Sequence, residues 1–267
     1  MGGTNSGKRI RDSLGFSNIV GKLKEDVDTK QVNLASVAAC FLTGFTSCNS
    51  FTACYIWCGF QTGNVAQLGL ALARNLNPPP YKTIGFQKPD QQALTSLLCF
   101  ILGTSLGRLG DRIGSKSRLW LMLASFTQAL LCMAGALAAH FSGQSGIALE
   151  REFPSWTNAL GLTALGFISA SLGIQGIVGK RLGSPLNTTI VLTTTWVELA
   201  NDPLLYSLKP VTSRDVRAAG VFGVFFGAFV ARALLGTRCG VPGTLGILVG
   251  FRIIQMFSWL FIPAAKK

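Results

Sequence analysis

Six apolar runs, near residues 33–57, 92–108, 118–140, 155–179, 216–236 and 242–262, constrain this 267-residue chain more than any other feature. Each is long enough to cross, or nearly cross, the ~30 Å hydrocarbon layer of a bilayer as a helix, and charged gaps separate them. Only 13% of the residues are charged, about half of what a soluble domain uses for its wetted surface. The expected fold is therefore an all-α membrane domain of about six transmembrane helices, over residues 32–262, with the lipid bilayer as its main partner.

The net charge is +13, yet the basic residues do not form the continuous face that a nucleic-acid binder presents. They sit in the N-terminal tail and in the gaps between runs. With six crossings, seventeen Lys and Arg fall on one side and six on the other, and Arg252 is left inside the last run. Counting loops alone, six crossings give nine against six, whereas eight crossings give seven against eight. The positive-inside rule therefore favours six crossings with both termini cytoplasmic. Which membrane holds the chain is not encoded in these counts. Trp120, Trp156 and Trp259 fall near run ends, as interfacial anchors do, and Tyr81 is placed for the same role.

Residues 1–31 form a basic tail expected to be disordered, and residues 263–267 a short cytoplasmic C-terminus. The tail has no apolar signal-peptide core, so no cleavage is expected. Its start, Met1-Gly2-Gly3-Thr4-Asn5-Ser6 with Lys8 and Arg9 following, matches the pattern for myristoylation at Gly2. The same stretch nearly spells a phosphate loop, but Arg9 stands where a magnesium ligand is required and no strand precedes it.

Two further apolar segments, about 61–73 and 186–200, are too short to cross. They belong to an internal repeat. Gly103-x4-Arg108 is echoed by Gly227-x4-Arg232, and Thr62-Gly63-Asn64-Val65-Ala66-Gln67-Leu68 by Thr193-Thr194-Thr195-Trp196-Val197-Glu198-Leu199, in the same order and at closely similar offsets. Three spans per repeat is an odd number, so the second copy (about 154–262) is inverted relative to the first (about 32–140). Inverted repeats with an interrupted segment in each half are the architecture of many secondary transporters, whose site lies where the halves meet.

The stretch Gly59-Phe60-Gln61-Thr62-Gly63-Asn64, the Leu68-Gly69-Leu70-Ala71-Leu72-Ala73 after it, and Lys180-Arg181-Leu182-Gly183 resemble the YoaK-like family, domain-of-unknown-function family 1275, in particular its fungal-type members. The resemblance runs from about 32 to 262. It implies a multi-pass membrane protein and supplies neither substrate nor catalytic residue. The family's Gly-x-x-Asp pattern in the first span reads Gly44-Phe45-Thr46-Ser47 here, which removes the acid a proton-coupled mechanism would use.

The candidate binding residues are Gln61, Thr62, Gly63, Asn64 and Gln67 in the first short segment, Thr193, Thr194, Thr195 and Glu198 in the second, and Gln175. Thr62 or Asn64 is placed to cap a short helix whose free amides point at a ligand, and Glu198 is the one acid within an apolar segment. Capping that satisfies only its own backbone is the competing reading. The two elements are expected to face one polar cavity, open to an unknown small-molecule or anionic substrate. Arg108 and Arg232 occupy matching repeat positions suited to anions or lipid headgroups. The polar stripe Thr43, Thr46, Ser47, Ser50 and Cys54 reads equally as helix–helix glue, at about 0.6 kcal/mol per bond.

Enzymatic chemistry is not expected. The single histidine, His140, closes a span, and no aspartate lies within one. With that histidine and cysteines confined mostly to apolar runs, neither a metal, a cofactor nor a disulfide framework is implied. A non-transporting scaffold is the alternative.

Overall fold

The computed structural model describes residues 20–82, 84–151, 153–190 and 193–265. Nine α-helices lie wholly within them: α1 (Asn33–Cys54), α2 (Gln61–Arg74), α3 (Lys88–Ser105), α4 (Gly107–Ile113), α5 (Arg118–Phe141), α6 (Ala159–Leu182), α7 (Thr193–Ala200), α8 (Thr212–Leu235) and α9 (Gly240–Ser258). Six are long and apolar enough to cross a membrane, with α3 and α4 counting as one. At 1.5 Å per residue, the 14 residues of α2 and 8 of α7 reach only about 21 and 12 Å.

Local chemistry sets the helix ends. Ser117 caps α5 by accepting from Trp120 N, and Asn158 caps α6 by accepting from Gly161 N. A Gln87–Asp90 capping box with a proline in the first turn opens α3. Left-handed residues close α1 (Tyr55, φ 59°) and α6 (Gly183, φ 70°).

The spans pack α1 on α8, α3 on α6, and α5 on both α6 and α9, with α1 and α6 the most enclosed. Glycines bring two of these crossings to backbone contact. A Cβ on Gly44 would lie 2.0 Å from Val224 O, and one on Gly227 would lie 2.0 Å from Phe41 O. In the other crossing, Gly173 meets Phe100 O at 2.3 Å and Gly103 meets Ala170 O at 2.1 Å. The two sets correspond position by position. Phe41 and Gly44 have the same spacing in α1 as Ala170 and Gly173 in α6, and Phe100 and Gly103 in α3 the same spacing as Val224 and Gly227 in α8. The α1–α8 and α3–α6 crossings thus use matching registers.

After α1 the chain doubles back into the bundle. Cys58 N donates to Ser50 Oγ at 3.3 Å, and α2 begins beside Ser96 of α3. It then climbs until Arg74 pairs with Asp90 at 2.5 Å in the first turn of α3. The chain repeats this after α6. Thr189 returns to Gln175, and after α7 Arg217 of α8 pairs with Glu198 at 3.0 Å and reaches Asp202 at 3.9 Å. The 3.0 Å contact is an ion pair whose angle is too poor for a hydrogen bond.

Both ends of the described chain meet at one pole. Val27 N donates to Lys116 O, and Asp28 N to Pro263 O at 2.8 Å. The buried Arg118 ties Glu25 (2.6 Å) and Ile262 O (2.8 Å) together. Residues 25–31, expected as part of the disordered tail, are thus held in place with Val27 buried. Gly2 lies outside the described residues. The three tryptophans expected at the interface are instead enclosed by protein. Trp259 Nε1 donates to Ser125 Oγ at 2.9 Å, and Trp156 backs onto Gly161, where a Cβ would meet its Cα at 2.4 Å.

Candidate functional site

The two doubled-back segments approach each other closely. A Cβ on Gly59 would lie 3.7 Å from Ile190 Cγ2, 3.0 Å from Leu172 Cδ1 and 3.2 Å from Ser47 Oγ. Gly59 stands as far ahead of Thr62 as Ile190 stands ahead of Thr193, each three residues before the threonine. Polar clusters flank this contact on both sides.

On the side away from the termini, Asn64 Nδ2 donates to Gln61 Oε1 at 2.7 Å and to Ser96 Oγ at 3.2 Å. Gln61 Nε2 donates to Cys58 O at 2.7 Å and to Ser96 Oγ at 3.1 Å. Ser96 Oγ lies 3.0 Å from Ser169 Oγ, joining α2, α3 and α6. Asn64 is buried, whereas Thr62 and Gly63 are exposed. The expected side-chain cap is not formed, because α2 starts at Gln61 with Phe60 at the cap position and no side-chain bond there. Gln67 is half-buried and holds Pro89 O at 3.1 Å.

On the termini side, Gln175 organises the second cluster. Its Nε2 donates to Thr43 Oγ1 (2.6 Å), Ala39 O (2.9 Å) and Thr189 Oγ1 (3.3 Å), while its Oε1 accepts from Arg252 Nη2 at 2.7 Å. Arg252 Nη1 donates to Gln255 Oε1 at 3.1 Å. One amide therefore links α1, α6, α9 and the segment before α7. Most of the α1 stripe bonds to its own backbone, Thr46 to Leu42 O and Cys54 to Ser50 O among them, so these groups are satisfied within α1 and do not join it to other helices.

The shared cavity expected between Thr62–Asn64 and Thr193–Thr195 is not found among the described residues. Thr193 and Thr194 are exposed, Thr195 is buried, and Glu198 is half-exposed in its ion pair with Arg217. The second segment contributes Thr189 and Ile190 to the centre instead. Beside Gln175 lies a cavity of about 10 Å³, bordered also by Ser36, Ser125, Gln128, Thr189 and Gln255. That is about the room one water needs. Ser36 Oγ and Gln128 Oε1 have no partner. At the far pole a crevice of about 400 Å³ runs along one face of α2, past Gly63, Gln67 and Arg74, to Arg151. Arg108 is exposed in a groove beside the Arg181–Asp111 pair (2.8 Å), and Arg232 is exposed at the end of α8.

Sequence reading placed Gln175 but gave no role to Arg252, Gln255, Thr189, Ser96 or Ser169. The signal for Arg252 was present, since it is the one charge inside the last apolar run. The site offers amide and hydroxyl groups and one guanidinium.

The model of the family described as "Protein of unknown function (DUF1275)" matches residues 35–258, from the first turn of α1 to the last residue of α9. No curated protein and no solved structure matches the chain.

Proposed function

The chain belongs to the DUF1275 family, whose description assigns no activity, and from that membership and the geometry of its bundle we propose that it is a carrier of small solutes. In this reading the two halves are inverted repeats, and each doubled-back segment is a re-entrant barrier closing the path from one face. The observation that carries it is the contact of Gly59 with Ile190. Polar backbone taken to the middle of a bundle is tolerated where protein or a water-filled path receives it, and paired broken segments at a repeat interface are where secondary transporters bind substrate.

The matched glycine registers of the two crossings support the inverted repeat. The ion pairs support it as well, because Arg74–Asp90 and Arg217–Glu198 tie each short helix to the span after it at opposite poles, with the charges exchanged. The seventeen-to-six distribution of basic residues supports cytoplasmic termini. The crevice beside Gln67 and Arg151 then opens to the other side, and the bundle is in a closed state. A non-transporting scaffold is the second reading. It is favoured by one observation, the closeness of packing around Gln175, where only about 10 Å³ is free.

Uptake into proteoliposomes across a panel of solutes decides between them. The carrier should give saturable flux for at least one solute, reduced at least tenfold by Asn64→Ala and unchanged by Glu198→Gln, since Glu198 sits at the surface. Absence of flux for every solute supports the scaffold.

A further inference from the structure

We infer that Arg252 is the binding charge for a small monovalent anion, which enters by displacing the Gln255 side chain. The inference names the substrate class of the carrier proposed above and rests on that reading. Arg252 has no exposed surface, its Nε has no hydrogen-bond partner, and its side-chain hydrogen bonds go to the neutral oxygens of Gln175 and Gln255, with the Cys132 thiol beside it. It forms no ion pair among the described residues. The sequence offers it none within the spans, because Asp90 and Asp215 occupy first turns and every other acid lies outside the six helices, apart from Asp111 in α4 at the surface. A guanidinium enclosed in a membrane bundle without a counter-charge is costly, and such residues mark ion and substrate pathways.

The surroundings fit an anion. Thr189 and Gln175 bring hydroxyl and amide groups to the same cluster, and Ser36 and Ser125 border the adjoining cavity with further hydroxyls. Gln255 has a particular position. It lines that cavity of about 10 Å³ and also an open groove of about 580 Å³ between α1 and α9, walled by Leu34, Phe41, Phe251 and Ile254. Its carboxamide oxygen fills the place an anion would take on Nη1. The closed bundle has no room for both, so binding requires Gln255 to swing into the groove. One neutral acceptor leaves the guanidinium and one charged acceptor replaces it, with no covalent change.

The test is equilibrium binding to the full chain in a zwitterionic detergent. Thermal unfolding is followed against potassium chloride, nitrate and acetate at constant ionic strength, with gluconate as the bulky balancing anion. Trp259, which borders the cavity, reports through its fluorescence, and a Trp259→Phe control isolates its signal. Saturable stabilisation by at least one small anion is expected, lost in Arg252→Gln and retained in Arg252→Lys. If Arg252→Gln does not fold, Gln255→Ala decides, because removing the competing oxygen should lower the half-saturating concentration at least threefold. No saturable response in the native chain, an undiminished response in Arg252→Gln, or an unchanged midpoint in Gln255→Ala each overturns the inference. So does stabilisation by added phosphatidylglycerol alone, which assigns the charge to a lipid headgroup. Binding without uptake in proteoliposomes keeps the site and sinks the carrier, whereas uptake indifferent to Arg252 does the reverse.

Discussion

Gly59 and Ile190 meet at the centre of the bundle, with 3.7 Å between a Cβ position on the glycine and Ile190 Cγ2. They come from opposite halves of the sequence, and each belongs to a segment that leaves a long helix, turns back into the bundle and then climbs out as a short one. A chain of six spans joined by simple turns would have no reason to place them together.

A glycine at a helix crossing and one facing open space should respond to a single methyl group with opposite signs. Gly103→Ala places a Cβ 2.1 Å from Ala170 O, where only backbone movement relieves it, and should cost about 3 kcal/mol or more, the upper range for overpacking. Gly246→Ala meets nothing within 4 Å and should gain up to about 1 kcal/mol from helix propensity. Thermal unfolding in detergent of the two variants side by side checks the ordering.

The two ion pairs that tie the short helices down should differ in weight. Asp90 has no exposed surface and accepts from both Arg74 and the Gln87 amide, whereas Glu198 is 54% exposed. Asp90→Asn should cost about 2–3 kcal/mol, as loss of buried hydrogen bonds to a charged group does. Glu198→Gln should cost under about 1 kcal/mol. Denaturant titration of each variant measures both, and a larger effect from Glu198→Gln would contradict the placement of these residues.

Gln175 and Arg252 should behave as one unit. Gln175→Leu alone leaves a buried guanidinium with a single side-chain acceptor and should cost about 3–5 kcal/mol. Combined with Arg252→Met, the loss should fall short of the sum of the single losses by about 1–3 kcal/mol, the range of coupling for residues in contact. An additive double-mutant cycle would mean that the 2.7 Å contact does not form in the membrane protein.

Much of this arrangement was legible because long apolar runs and short ones announce themselves by length. The six spans and the two segments too short to cross follow from counting, and Gln175 was singled out as an amide without a place in lipid. The tryptophans were misplaced for a physical reason. A run-end position sets depth but not azimuth, and only packing shows that Trp120, Trp156 and Trp259 face protein. The capping role expected of Thr62 or Asn64 failed similarly, since the helix already starts at Gln61, with Phe60 at the cap, and Asn64 is free to bond across to Ser96. Ser96 and Ser169 are ordinary serines in ordinary helices, and nothing in the sequence marks them as neighbours.

The two poles should label from opposite sides of the membrane. Leu149 is exposed in the loop between α5 and α6, and Tyr206 in the loop between α7 and α8. In sealed cells, a membrane-impermeant maleimide should reach Leu149→Cys and not Tyr206→Cys, with the native Cys239, exposed at the same pole as Leu149, replaced by serine beforehand. Labelling of both from one side would break the six-crossing topology.

The most direct measurement is uptake by proteoliposomes holding the Gly59→Cys/Ile190→Cys protein in a background without other cysteines, compared oxidised and reduced. If the two segments form the moving barrier of a carrier, the pair should crosslink within one chain, abolish saturable flux on oxidation and restore it on reduction. Failure of the pair to crosslink, or flux indifferent to a crosslink verified on a gel, would contradict the account.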